Sequence, residues 1–286
     1  MTKEEYGQAV RKRNMTGFIS DPTSHVTLRE LWLARYMVSQ LIWRDLTVRY
    51  RQTLLGWLWA FLNPVLNMTL YYAVFGLLLR VRSPEYQVPW AFVLLCGLVP
   101  WMLFAATLNA TSESLLNNLH LIKKIWFPRI ALTVAATGVS LADFLLMLLC
   151  LGLFLYLCGI HWPLTNLPLL LLCGALISLC GWSMGCILAV ARLRFRDVRH
   201  LMPLLLQGLF YATPVVWTAE LIPERWRWIL LLNPLSTLLA VFRHLLLAGP
   251  APSLFSLVIA IAVCLILGVL GYGCFIRYEP AATERE

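Results

Sequence analysis

The sequence predicts an all-α polytopic membrane protein with six transmembrane helices, and three observations support this class. First, 60% of the 286 residues are hydrophobic and only 13% are charged, with a mean hydropathy of +0.75. This composition is far more apolar than that of a soluble domain. Second, several apolar runs approach or exceed the ~20 residues that a spanning helix needs. Third, the Lys and Arg residues fall in short clusters between these runs.

The chain begins with a polar segment and an interfacial helix. Residues 1–27 carry no apolar core after Arg11, Lys12 and Arg13, so they do not resemble a signal peptide, and we expect a cytoplasmic tail. Residues 28–52 predict a helix at the membrane interface, because a broad apolar face is opposed by a charged one. Its last residues form a polar motif directly before the first apolar run: Arg44, Asp45, Arg49, Arg51 and Gln52.

Six segments qualify or nearly qualify as spans: residues 56–79, 90–110, 130–157, 167–190, 201–217 and 254–276. The fifth is marginal because it is short and contains Pro203 and Pro214. With both termini in the cytoplasm, including a short tail at 279–286, 18 of the 23 Lys and Arg residues lie inside, as the positive-inside rule predicts. A five-span arrangement would leave an apolar run in a loop.

Residues 111–128, between the second and third spans, predict a short amphipathic helix on the cytoplasmic side. Thr111 or Ser112 can cap it, and Pro128 ends it. The helix could dock a soluble partner, or it could rest on lipid headgroups with its lysines extended to water. The residues proposed for coupling to a partner are Leu115, Asn118, Leu119, His120, Ile122, Lys123, Lys124, Trp126 and Arg129.

Residues 218–250 predict re-entrant or interfacial half-helices. Two apolar stretches are too short to span, and Pro223, Pro234 and Pro250 punctuate the segment. Membranes tolerate such backbone only where it is buried in protein or lines a cavity. We therefore expect a gate at the outer face, with these candidate residues: Trp226, Trp228, Asn233 and Pro234.

The residues that catalysis or metal binding would require are sparse. The eight cysteines lie in apolar runs and the five histidines are scattered, so we expect no metal site. There is neither a GxSxG elbow nor a phosphate-binding GxxxxGK[ST] loop. The basic clusters form no continuous stripe, which argues against nucleic-acid binding.

Asp143 is the only acidic residue deep inside a predicted span. A carboxylate in this position is costly unless it is paired. Since no other span centre carries a Glu, Lys or Arg, we favour a structural hydrogen bond to a neighbouring helix over a proton relay.

The first and fifth spans carry amide and aromatic side chains. Asn63, Asn67 and Tyr71 recur every fourth residue and so share one helix face. Such a face suits stacking against sugar rings, whereas the alternative is an ordinary interfacial aromatic belt. The candidate channel residues are Trp59, Asn63, Asn67, Tyr71, Tyr72, Gln207, Phe210 and Tyr211.

Two motifs, RDLTVRYRQTLLGWLWAFLNP at 44–64 and LIKKIWFPR at 121–129, resemble the membrane subunit of bacterial polysaccharide-export ABC transporters. The resemblance covers residues 28–278, including the NP pair at Asn233 and Pro234. These type-2 permeases move lipid-linked O antigen, capsular polysaccharide or teichoic acid. The resemblance implies an inner-membrane homodimer paired with two ATPase subunits, which bind ATP and Mg. It also implies a coupling helix before Pro128, and a sugar channel lined by the first and fifth spans.

Two alternative functions remain at the level of sequence. One is a type-2 ABC exporter of another lipid or a drug, which would share the topology but not the motif at 44–56. The other is an integral membrane glycosyl or acyl transferase. That function would need acidic or histidine residues converging at one membrane face, and such residues are scarce.

Overall fold

The computed structural model describes residues 34–50, 56, 58–78, 85–122, 124, 127–195, 197–219 and 222–283. All regular structure in these ranges is helical, which confirms the all-α class. The predicted tail at 1–27, the start of the interfacial helix at 28–33 and the last residues, 284–286, lie outside the described residues. The same holds for four candidate site residues, whose roles stay predictions: Arg51, Gln52, Lys123 and Trp126.

In chain order the α-helices are α1 (Arg35–Tyr50), α2 (Leu58–Tyr71), α3 (Trp90–Asn117), α4 (Leu119–Ile122), α5 (Ile130–Leu157), α6 (Leu167–Arg194), α7 (Val198–Ala212), α8 (Trp228–Leu232), α9 (Pro234–Leu247) and α10 (Leu254–Thr283). A π-helix, Tyr72–Leu78, continues α2.

Four helical segments are long and apolar enough to cross a membrane: α3, α5, Leu164–Arg194 and Leu254–Tyr278. They correspond to the second, third, fourth and sixth predicted spans. The predicted first and fifth spans hold shorter elements, and α7, with 15 residues, measures only ~22 Å against a hydrocarbon core of ~30 Å. The described residues thus provide four spans, or five if the bent pair α8–α9 is one span, against the six predicted.

Helix α3 is the centre of the bundle. It packs against α5 and α6, and α10 packs against α6. Two glycines on α6 permit its close approach to α3, since a Cβ atom at Gly181 would lie 2.9 Å from the carbonyl oxygen of Phe104 and one at Gly185 would lie 2.6 Å from the Cβ of Thr111. In a membrane the lipid tails are as apolar as the helices, so helices associate through close van der Waals packing, which small residues permit.

The connection after α3 differs from the single amphipathic helix predicted over 111–128. Helix α3 runs unbroken through Thr111 and Ser112, so neither residue caps a helix. Thr111 and Leu115 are fully buried, and this packing extends the helix. The chain turns at Asn118, whose side-chain amide donates to the carbonyl oxygen of Ser114 at 2.9 Å, and α4 lasts a single turn.

The helical segment Glu224–Leu232, which ends in α8, meets α9 at a bend of 101°. The side chain of Asn233 stabilises this bend through two hydrogen bonds. Its side-chain oxygen accepts from the amide of Leu235 at 3.1 Å and caps α9, and its side-chain nitrogen donates to Thr213 Oγ1 at 2.9 Å. Pro234 occupies the first turn of α9, where the missing N–H costs nothing.

Candidate functional site

The amide side chains of α2 interact along one face of that helix. Asn67 Nδ2 donates to both the backbone oxygen and Oδ1 of Asn63, each at 2.9 Å. The prediction that these residues share a face is therefore confirmed. Asn63 is exposed and Asn67 half-buried, so this polar patch lies on the outside of the isolated chain.

Aromatic rings join α2 to α7 and to α3. The ring of Phe210 lies 5.2 Å from that of Tyr71 and 5.3 Å from that of Trp101, measured between centroids. Tyr71 also lies 6.4 Å from Phe75. Aromatic pairs at such distances contribute ~0.5–1.5 kcal/mol each beyond area burial. The cluster therefore fixes α7 against α2.

The structure separates the two aromatic residues that α7 contributes. Phe210 is buried between Tyr71 and Trp101, with 6% of its surface exposed, so it is not on the exposed face of α7, and its place on a channel wall stays a prediction. Tyr211 is 53% exposed and packs edge-on against Phe210 at 5.3 Å. Gln207, one turn before it, is also exposed. The sequence left this choice of face open.

The remaining candidate channel residues lie on α2, on the π-helix that continues it and on α7. They are called the polar–aromatic surface here: Trp59, Asn63, Asn67, Tyr72, Gln207 and Tyr211. Trp59 and Tyr72 are exposed, and Tyr72 stacks on Trp90 with centroids 6.1 Å apart. Tyr72 begins the π-helix, a local widening that is frequent at functional sites. Rings with a polar tip and amide groups can together stack on sugars and bond their hydroxyls.

The predicted coupling residues divide into buried and exposed groups. Leu115 and Asn118 are buried, and Arg44 Nη2 donates to Asn118 Oδ1 at 3.1 Å. The Asn118 side chain therefore holds the turn, and its contact with a partner protein stays a prediction. His120 and Lys124 are exposed, whereas the other described members are half-buried: Leu119, Ile122 and Arg129.

The described residues of the interfacial motif connect α1 to the bundle. Arg44 Nε pairs with Asp45 at 2.8 Å, and Arg49 Nη1 pairs with Oδ2 of Asp143 on α5. Asp143 is 6% exposed, and its hydrogen bond to a neighbouring helix is confirmed. Ile42 lies against Gly138 of α5, so α1 follows the surface of α5.

Sequence reasoning missed two buried guanidinium groups. Arg192 on α6 donates to Glu113 on α3 at 2.9 Å. Arg243 on α9 donates to the carbonyl oxygens of Val93 at 3.1 Å and Val215 at 2.6 Å. For Arg243 the sequence did carry a signal, because this arginine interrupts the apolar run STLLAVFRHLLL.

Two cavities formed by the described residues lie beside the bundle. One of about 930 Å³ lies between α1, α3 and α5 and is lined in part by Arg44, Arg49 and Asn109. The other, of about 370 Å³, lies at the opposite end, beneath the bent pair α8–α9.

Residues 36–247 match the family described as ABC-2 type transporter. This chain belongs to that family. The match begins in α1 and ends in α9, so it includes the polar–aromatic surface, the turn at Asn118 and the bent pair. The expectation of a type-2 ABC permease is thereby confirmed.

Several curated proteins are similar to this chain. The O-antigen export system permease protein RfbA of Klebsiella pneumoniae is 33% identical over 209 residues, which cover 72% of this chain and 78% of the relative. RfbA of Myxococcus xanthus is 30% identical over 245 residues, covering 84% and 91%. The polysialic acid transport protein KpsM of Escherichia coli is 24% identical over 212 residues, covering 74% and 81%.

Proposed function

We propose that this chain is the membrane-spanning permease of an ATP-driven exporter that moves a lipid-linked polysaccharide, O antigen, from the cytoplasm to the periplasm across the inner membrane. Similarity to two O-antigen export permeases and to a polysialic acid transport protein supports this cargo class. The observation that carries the proposal is the polar–aromatic surface. Its amides and rings have the chemistry that a sugar polymer requires, and it lies on two adjacent helices.

The polar–aromatic surface is open in one chain, which supports a second copy as partner. Large apolar side chains accompany it on α2 and α7, and Leu66, Leu70 and Leu204 are each more than half exposed. Two copies related by a twofold axis would bury these side chains and enclose the two polar–aromatic surfaces between them. The transport path in this proposal lies along that axis.

The exposed residues near α4 are proposed to dock a separate ATPase, which binds ATP and Mg. His120 and Lys124 point outwards, and the Asn118 turn is bonded to α1 through Arg44 and to α3 through Ser114. A push on this region would therefore move α1 and α3 together. Movement of such packed elements between two arrangements is the usual form of a mechanical switch. The bent pair α8–α9 is then the element proposed to open.

Deletion of this chain from its host tests the proposed function. We expect polysaccharide to disappear from the cell surface and its lipid-linked form to accumulate inside, with restoration by the plasmid-borne chain. Loss of polysaccharide synthesis itself would instead indicate a transferase. Normal surface polysaccharide with a defect in lipid or drug efflux would indicate another cargo.

Co-purification in mild detergent tests the partner. We expect a protein with a GxxxxGK[ST] motif to accompany the wild-type chain, and the double change His120→Asp and Lys124→Asp to reduce its recovery, because both side chains are exposed on the docking region. Gln40→Glu, an exposed change on α1, is the matched control. Equal recovery in the double variant would place the docking surface elsewhere.

Cysteine labelling tests the proposed orientation. Lys124→Cys should react only from the cytoplasm, and Leu164→Cys, at a position 75% exposed between α5 and α6, only from the periplasm. The reverse pattern would invert the topology.

A further inference from the structure

The cavity of about 370 Å³ lies at the end of the bundle opposite α4. We name it the Ser236 cavity. Its walls come from the segment before α3, the segment after α7, both halves of the bent pair α8–α9, and the start of α10. Its volume falls within the range of ~300–1,000 Å³ that is common for ligand sites. The cavity therefore sits where the chain is least regular and has room for a small ligand.

Two buried polar atoms at this cavity have no partner among the described residues. Ser236 is 5% exposed, and its Oγ makes no hydrogen bond within the described part of the chain. The same is true of the buried Oε1 atom of Glu85, which lines the same cavity. Proteins leave few buried polar atoms unpaired, because each unpaired atom destabilises the fold. Two such atoms at one cavity indicate that a ligand completes it.

The charges around the Ser236 cavity restrict the chemistry of that ligand. Arg243 lies in its wall and Arg227 at its exposed edge, while Glu85 supplies a carboxylate. A cation would be repelled by the two guanidinium groups. A fully ionised phosphate would be repelled by Glu85, and it has no proton to donate to Oε1. A neutral hydroxyl group both donates and accepts, so it can satisfy Glu85 and Ser236 together.

The rest of the cavity suits a sugar ring. Thr218 and Thr237 are buried and add two hydroxyls, and Leu230 and Leu231 provide an apolar wall. Ligand sites typically combine such an apolar wall with a few convergent polar groups. We propose that the Ser236 cavity binds one neutral sugar unit of the polysaccharide beside the bent pair α8–α9. This inference rests on the proposed function, because it takes the exported polymer as the source of the sugar.

Protection of Ser236→Cys from alkylation tests the inference in cells that contain the complete transporter. N-ethylmaleimide labelling at position 236 is followed by peptide mass spectrometry, in a strain that makes the polysaccharide and in one blocked at its first sugar transfer. We expect labelling to be about tenfold slower in the first strain, because a site occupied nine-tenths of the time leaves one-tenth open to the reagent. If Ser236→Cys fails to insert, Ala251→Cys at the exposed edge of the cavity reports the same protection.

Leu254→Cys is the control, since this side chain is 81% exposed at the start of α10 and does not line the cavity. Its labelling should be equal in the two strains. Glu85→Ala removes the acceptor at Oε1, so it should abolish most of the protection at position 236, whereas Glu85→Gln keeps a weaker neutral acceptor and should reduce the protection only in part.

Equal labelling of position 236 in both strains, while polysaccharide reaches the surface, would overturn the inference and leave the proposed function intact. Equal protection of position 254 would also overturn it, because a change of the whole bundle would then explain the result. If the wild-type chain makes no difference to surface polysaccharide, the proposed function fails instead.

Discussion

The two ends of the helical bundle are held together by different kinds of bond. The half of the bundle nearer α4 is tied by contacts between side chains: Arg192 with Glu113 and Arg44 with Asn118 near the end, and Arg49 with Asp143 about halfway along α5. At the opposite end, Arg243 donates to backbone carbonyl oxygens of α3 and of the segment after α7. Asn233 adds a bond to the side chain of Thr213 and caps α9.

The difference follows from what each end contains. The backbone N–H and C=O groups of a helix are hydrogen-bonded within that helix, so side-chain pairs are enough to hold the helices together near α4. The segment after α7 and the bent pair are irregular, and their backbone groups need donors from elsewhere when they are buried. The first end is therefore suited to move as a unit, and the second to change its internal arrangement.

The substitution with the largest expected effect is Arg243→Leu. It removes the donor to the carbonyl oxygen of Val215 in the irregular segment after α7, and an unpaired buried group of this kind costs ~1–3 kcal/mol. It also removes the added bond to the carbonyl oxygen of Val93 in α3. We expect the free energy of unfolding to fall by ~2–3 kcal/mol, measured by denaturation of the purified chain in detergent. The neighbouring change Arg225→Leu, in an exposed residue, should cost less than ~0.5 kcal/mol.

The variant Arg243→Lys separates the contribution of the charge from that of the hydrogen bonds to carbonyl groups. Lysine keeps the charge but loses the planar fork that reaches several acceptors at once, so we expect intermediate stability. A lysine variant as stable as wild type would show that charge, and not carbonyl bonding, holds this end together.

A smaller effect is expected for Glu113→Gln at the other end. The side chain of Arg192 is only 4% exposed and would keep its charge without a counter-charge, although Glu113 itself is 40% exposed. We expect a loss of ~1–2 kcal/mol. Asp45→Asn is the matched control, because the pair of Asp45 with Arg44 is exposed on both sides and should contribute less than ~1 kcal/mol. Equal losses in the two variants would remove the distinction between these pairs.

The smallest effect on transport is expected for Asp143→Asn. The amide retains an acceptor for Arg49, so polysaccharide export in whole cells should stay near the wild-type level. A collapse of export with normal protein abundance would instead make Asp143 a proton-carrying group.

The sequence predicted those features whose signal is local. Helical class, four of the six predicted spans and a partner for Asp143 all follow from apolar length and the cost of a lone carboxylate. The sequence prediction ended the second span too early, because the burial of Thr111 and Leu115 against other helices extends α3. The residues around Thr111 do not indicate which distant helices will pack against them. Phe210 and Tyr211 are adjacent in sequence, so only the position of Tyr71 and Trp101 decides which of them is buried.

The buried arginines show the same limit of prediction from local sequence. An arginine in an apolar run indicates an acceptor, but the acceptors of Arg243 lie some 150 and 28 residues away in the chain. The identity of a distant carbonyl group cannot be read from the residues around an arginine. The Ser236 cavity likewise appears only when five separate segments are brought together.

The proposed path along α2 and α7 is tested most directly by photo-crosslinking to the transported polymer. A photo-reactive amino acid at Asn63 or Tyr211, both on the polar–aromatic surface, should form adducts with the polysaccharide in cells whose ATPase is stalled. The same group at Leu149, which is 69% exposed on α5, should form none. Adducts at Asn63 and Tyr211 alone would support the path. Adducts at Leu149 but not on the polar–aromatic surface, in cells that export normally before the ATPase is stalled, would contradict it.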